Sequence, residues 1–177
     1  MVELQLEVHS AQNEISDRSL TPANLYDLDF YAWTQSQSEL LRLGNWQELD
    51  IENLVEEIES LGKQQKQELR NRLGILIGHL LKWDYQAELR GKSWKATIRE
   101  QRKQIQLHIQ ENPSLKSYLD QAVIEAYELA LALVVCETPL DYQDLPMECP
   151  YAIAQILEPQ FPNDMNSSNY RSSELQE

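Results

Sequence analysis

Between Leu25 and Thr138 the chain contains a single proline, Pro113, and its five glycines all lie between Gly44 and Gly91. A stretch that poor in breakers, and rich in Leu, Glu, Gln, Lys, Arg and Ala, can hardly fold as anything but helix. No alternating β-branched pattern longer than a few residues competes with that reading. The predicted fold is all-α, an antiparallel helical bundle of about four main helices plus a short C-terminal helix.

The start and stop signals divide the stretch. Asn24 is a candidate cap for a first helix over residues 25–43, with Asp27 and Asp29 in its first turn and Gly44 as its left-handed stop. Its apolar face is Tyr26, Phe30, Trp33, Gln37, Leu40 and Leu41. Asp50 is placed to cap a second helix over residues 51–83. Its stripe begins Ile51, Leu54, Ile58, Leu61, slips at Gln65, and resumes as Leu69, Leu73, Leu76, Leu80, Trp83. That helix would be roughly 50 Å long, and Gly62 is its natural kink point. A third helix is expected over residues 93–110, and a fourth over 115–136 after a Ser114 cap. A short helix over 150–157 starts on Pro150. Residues 1–23 read as an irregular arm, 24–161 as one bundle domain and 162–177 as a flexible polar tail.

At 177 residues the chain suits one domain with a real core. Its net charge of −14 disfavours non-specific binding to nucleic acid or anionic membranes. The charge is uneven. Residues 1–62 hold 13 acidic and 2 basic groups, residues 63–103 hold 4 and 11, and residues 104–177 hold 12 and 2. The basic band centres on Arg90, Lys92, Lys95, Arg99, Arg102 and Lys103. Lys92, Lys95, Arg99 and Arg102 are spaced +3, +4, +3, so a helix puts them on one face. With Trp94 they form the candidate interaction surface. Either the band pairs with the acidic start of the second helix, or it docks an anionic partner. Trp83, Tyr85 and Trp94, next to Arg90 and Lys92, fit corner packing or a recognition platform.

Signals for chemistry are few. His9, His79 and His108 lack metal-ligand spacing. Glu56 and Glu57 diverge by about 100° on a helix and cannot act together. No phosphate loop, dinucleotide fingerprint or nucleophile elbow occurs. No catalytic residue, metal or cofactor is assigned. Gly74-Ile-Leu-Ile-Gly78 has the spacing that lets a neighbouring helix come close. Cys136 and Cys149 are expected to be reduced thiols, although a link between them is sterically open. The N-terminus has no basic, apolar leader pattern, and the longest apolar run, near residues 73–81, is far below the ~20 residues of a membrane span. A cytoplasmic location is expected.

Several motifs occur in a fixed order: Tyr26-x-x-Asp29-Phe30-Tyr31-Ala32-Trp33, Leu54-Val55-Glu56-Glu57-Ile58-Glu59-Ser60-Leu61-Gly62, His79-Leu80-Leu81-Lys82-Trp83, Ser93-Trp94-x-x-Thr97-Ile98-x-x-Gln101-Arg102, Pro113-Ser114-Leu115 and Cys149-Pro150-Tyr151. Over about residues 25–161 this order resembles a bacterial, largely cyanobacterial family catalogued as domain of unknown function 29. The resemblance implies an all-helical bundle, and implies no established activity, cofactor or catalytic residue. The function expected from the sequence is a non-catalytic protein-interaction or regulatory module acting through a helix face. The alternatives are a nucleic-acid-associated protein using residues 90–103, and an enzyme with a pocket inside the bundle. Candidate partners are another protein or a second copy of the chain.

Overall fold

The computed structural model describes residues 22–162. The expected N-terminal arm and polar tail lie almost wholly outside these residues. Among the described residues there are six α-helices and no strand: α1 (Pro22–Leu28), α2 (Phe30–Leu43), α3 (Ile51–Tyr85), α4 (Lys92–Glu111), α5 (Leu119–Glu137) and α6 (Ile153–Leu157). The chain divides into two compact units, residues 1–61 and 62–177. The boundary falls at Gly62, within α3, so α3 contributes Ile51–Leu61 to the first unit and its remainder to the second.

In the first unit, the single helix expected over residues 25–43 is two. Asp29 leaves helical geometry (φ −151°, ψ 84°) and its carboxylate accepts the Ala32 N–H at 2.9 Å. A side chain that can cap a helix competes with continuing one, and here it starts α2 rather than sitting in the first turn of α1. Gly44 ends α2 in the left-handed region (φ 70°), a conformation that a residue with a Cβ adopts only under strain. Asp50 caps α3 as expected, accepting the Asn53 N–H at 3.4 Å. It also accepts Trp33 Nε1–H at 3.1 Å and Asn53 Nδ2–H at 2.7 Å, while its own N–H donates to Gln37 Oε1 at 2.9 Å. Trp33 and Gln37 are thus buried around one polar knot. Partial burial opposes ionisation of Asp50, but the bonds from Asn53 and Trp33 outweigh it and hold the carboxyl below its usual range.

The second unit holds the main core. Leu69, Leu73, Leu76 and Leu80 of α3, Ile98 and Ile105 of α4, and Ala122, Ala126 and Ala130 of α5 are fully buried together with Ile156 of α6. Each fully buried aliphatic side chain contributes about 1.5–3 kcal/mol. Register follows from specific pairs. Arg70 meets Glu125 and Lys82 meets Glu137, both 55 positions apart, so α3 and α5 run in the same direction. His108 of α4 donates to the Gln65 carbonyl at 2.9 Å, whereas Lys95 sits over the Trp83 ring. α4 therefore runs opposite to α3.

Gly74 and Gly78 let α5 approach. A Cβ on Gly74 would lie 3.0 Å from Leu129 Cβ and 3.3 Å from the Ala126 carbonyl oxygen. On Gly78 it would lie 2.9 Å from Leu133 Cδ2 and 3.3 Å from the Ala130 carbonyl oxygen. The small residues Ala126 and Ala130 face these glycines, so the expected close approach is present. Two boundaries differ from expectation. Residues Pro113–Tyr118 form a 3₁₀ turn, so α5 starts at Leu119 rather than after a Ser114 cap. The last helix starts at Ile153 instead of Pro150, because the Gln155 side chain reaches back to the Ala152 N–H at 3.0 Å and sets the start there. Cys136 and Cys149 are both free thiols.

Candidate interaction surfaces

The basic band of α4 is not one open face. Arg102, expected on it, is 4% exposed. Its Nε–H donates to the Ile156 carbonyl at 2.7 Å, beneath the C-terminal helix, and burial pushes its guanidinium down to about 10. The +3, +4, +3 spacing places it correctly around α4, but α6 covers that position. This corrects its assignment to the interaction surface. Arg90 turns back onto α3, donating Nε–H to the Trp83 carbonyl at 2.6 Å with its guanidinium 5.1 Å from the Trp83 ring. Lys95 Nζ lies 5.4 Å from the same ring and is half-buried. Lys92, Arg99 and Lys103 are exposed, and Trp94 is half-buried.

Trp94 forms part of a cationic centre that the band, as read from sequence, left out. Lys82 is 1% exposed, with Nζ 2.5 Å from Glu137 Oε2, 3.3 Å from His79 Nε2 and 5.2 Å from the Trp94 ring. His79 Nδ1 lies 2.9 Å from the Ile75 carbonyl oxygen. A carbonyl only accepts, so Nδ1 carries the proton and Nε2 accepts from Lys82. Burial, and secondarily the Lys82 charge, keep the imidazole neutral by holding it below its usual range. The Lys82 bond and charge hold Glu137 below the usual carboxylate range, against some burial. The ammonium is thus met by a carboxylate, an imidazole lone pair and an indole face. A buried charge so fully satisfied fixes helix register without needing a substrate.

A shallow groove of about 510 Å³ between α3 and α5 is lined by Gln67, Arg70, Ile124, Glu125, Glu128 and Leu129. Two of its charges, Arg70 and Glu125, are engaged with each other. Glu125 accepts from Arg70 at 2.6 Å, Tyr118 at 2.5 Å and Gln121 at 3.0 Å, and these bonds hold its carboxyl at about 2. Among the described residues no group of three His, Cys, Asp or Glu side chains is placed to hold a metal ion, and no helix is long and apolar enough to cross a membrane.

The first unit carries an exposed aliphatic row. An apolar stripe on a helix ordinarily faces a core, yet Ile51 is 56% exposed, Ile58 66% and Leu61 58%, with Val55 at 50%. Only Leu54 of the original four is half-covered. The reason is polar. α3 turns Asp50, Asn53 and Glu57 toward its neighbours: Glu57 accepts Tyr26 O–H at 2.6 Å, and Asp50 takes the Trp33 and Asn53 bonds. Those specific bonds fix the rotation of the helix and leave the aliphatic row outside. Sequence periodicity named Ile51, Ile58 and Leu61 of this row, but not Val55, and not the side that would be buried.

Comparison with curated proteins and with solved structures returned no match. The family model described as Domain of unknown function DUF29 matches residues 25–162, well over half of the chain, and the chain belongs to that family.

Proposed function

We propose that the protein is a non-catalytic interaction module that docks a protein partner on the exposed aliphatic row of α3. The observation that carries this reading is the row itself. Ile51, Val55, Ile58 and Leu61 lie within three turns of one helix, and each is at least half exposed. Scattered apolar side chains on a surface need no explanation, but a contiguous helical row of them does. Spacing of i, i+4, i+7 is the pattern by which one helix presents anchors to another. The opposed directions of α3 and α4 support reading the fold as an antiparallel bundle of about four main helices with a short C-terminal helix.

The basic α4 face supports a second reading, an anionic partner, less well. Arg102 is buried, and Arg90 and Lys95 are turned onto Trp83. The satisfied state of Lys82 gives an enzymatic reading less support again. The test is affinity capture from the native cell with the wild-type chain and with a Val55→Ser, Ile58→Ser variant. The reading expects a protein captured by the wild type and lost, by tenfold or more, from the variant. Equal capture by both, or loss only with Lys92→Glu, Lys103→Glu, overturns it.

A further inference from the structure

Beside the aliphatic row of α3 runs a row of carboxylates. Ile51, Val55 and Ile58 are spaced +4, +3; Glu52, Glu56 and Glu59 repeat that spacing one position later, about 100° around the helix. Glu52 and Glu56 are exposed, and Glu59, which has a contact of its own, continues the row. Across residues 22–61 there are nine acidic side chains and one basic one, Arg42. Any occupant of the aliphatic row therefore lies in a strongly negative field.

We infer that the occupant is an amphipathic helix of another protein whose apolar stripe is flanked by Lys or Arg; this rests on the interaction reading proposed above. Such a helix satisfies both rows at once. Its apolar anchors cover Ile51, Val55 and Ile58, and its cations meet Glu52 and Glu56 at the rim, where they set orientation and speed encounter.

A second copy presenting its own α3 does not do the same. Laid stripe on stripe in antiparallel register, two copies set the Glu52–Glu59 row against its own counterpart, and like charges count against the pairing. Laid parallel, the row faces the opposite flank of the stripe, Leu54, Glu57 and Leu61, which offers no cation. Shifting one copy so that those carboxylates meet the Lys63–Arg72 segment restores charge matching. The shift then lays the aliphatic row on Gln65, Lys66 and Glu68, which are polar. Pairing of α3 with a second α3 can match charge or apolar surface, not both. Anionic lipid headgroups meet the same repulsion.

The experiment uses the full chain and fluorescence anisotropy at about 0.15 M salt, where long-range charge effects are screened. Two synthetic helical peptides share Leu at i, i+3, i+4 and i+7; one is flanked by Lys and its twin by Glu. The expected result is at least about tenfold tighter binding of the Lys peptide. Glu52→Lys, Glu56→Lys should invert that order, and Val55→Ser, Ile58→Ser should weaken both peptides. If both peptides bind equally and charge reversal changes nothing, the basic-partner inference fails while the docking row stands. If the Lys peptide binds but ignores Val55→Ser, Ile58→Ser, the charge acts elsewhere and both readings fall. A dimer in sedimentation that Ile58→Ser dissolves overturns the inference in favour of self-association. Binding of neither peptide overturns it outright.

Discussion

Lys82 places a positive charge where solvent hardly reaches, and its worth depends on which partner is removed. Taking away Glu137 leaves the ammonium buried with only an imidazole and an indole face, whereas replacing Lys82 by an apolar chain of similar length removes the desolvation cost together with the pair. Glu137→Ala should therefore destabilise the protein by about 2–3 kcal/mol, and Lys82→Met by less than about 1 kcal/mol. Chemical denaturation of the two variants checks the asymmetry; equal losses would mean that the pair, not the buried cation, dominates. His79 adds a pH signature. Its native pKa lies below the 6.5 of the unfolded chain, so neutral His79 supports the fold fully above pH 6.5. That contribution is lost as pH falls through 6.5 toward the native value. The difference in stability between wild type and His79→Gln should shrink from pH 7.5 to pH 5, read from urea midpoints. A constant difference would contradict a neutral, buried His79. The residues of this centre stood in the sequence as His79-x-x-Lys82-Trp83, and i, i+3 spacing allowed His79 and Lys82 to meet. Glu137, 55 positions away, had no such signal. Arg102 was misplaced for the converse reason: spacing gave its angle on α4, and only tertiary packing decided that α6 would lie over it.

At the scale of elements, helix α3 contains both a close helix contact and an open position. Gly74 has no room, because the nearest atoms are Leu129 Cβ and the Ala126 carbonyl, both tied to backbone. Gly62 has nothing within 4 Å. Replacing a helical glycine with alanine gains up to about 1 kcal/mol in propensity, and overpacking costs about 1–3 kcal/mol. Gly62→Ala should thus stabilise the protein by about 0.5–1 kcal/mol, and Gly74→Ala should destabilise it by about 1–2 kcal/mol. Thermal unfolding of the two variants should shift in opposite directions; a shared upward shift would show that α5 yields easily. The Gly-x-x-x-Gly spacing made this contact legible, as the long breaker-free stretch did for α3 and α4. Local chemistry blurred the ends. Asp29 suits a first turn and a cap equally well on paper, and the Ala32 N–H settled the matter. Pro113 signalled a turn but not that six residues would stay 3₁₀ before α5 began.

For the whole molecule, the division of charge seen in the sequence becomes a division of surfaces. The basic middle of the chain is partly consumed by its own core and aromatic rings, through Lys82, Arg90, Lys95 and Arg102. The acidic first unit instead keeps an aliphatic row in the open. Periodicity marked Ile51, Ile58 and Leu61 as apolar neighbours on α3. It could not say which way they would face, because the rotation of α3 is fixed by Tyr26–Glu57 and Trp33–Asp50, bonds between residues 31 and 17 positions apart. The proposed docking site is this row. The most direct measurement is photo-crosslinking in the native cell, with a photoreactive amino acid at position 58 in one variant and at position 103 in another. A discrete adduct with another protein is expected from position 58 and none from position 103. An adduct from position 103 alone would contradict it and return the basic face of α4 to first place.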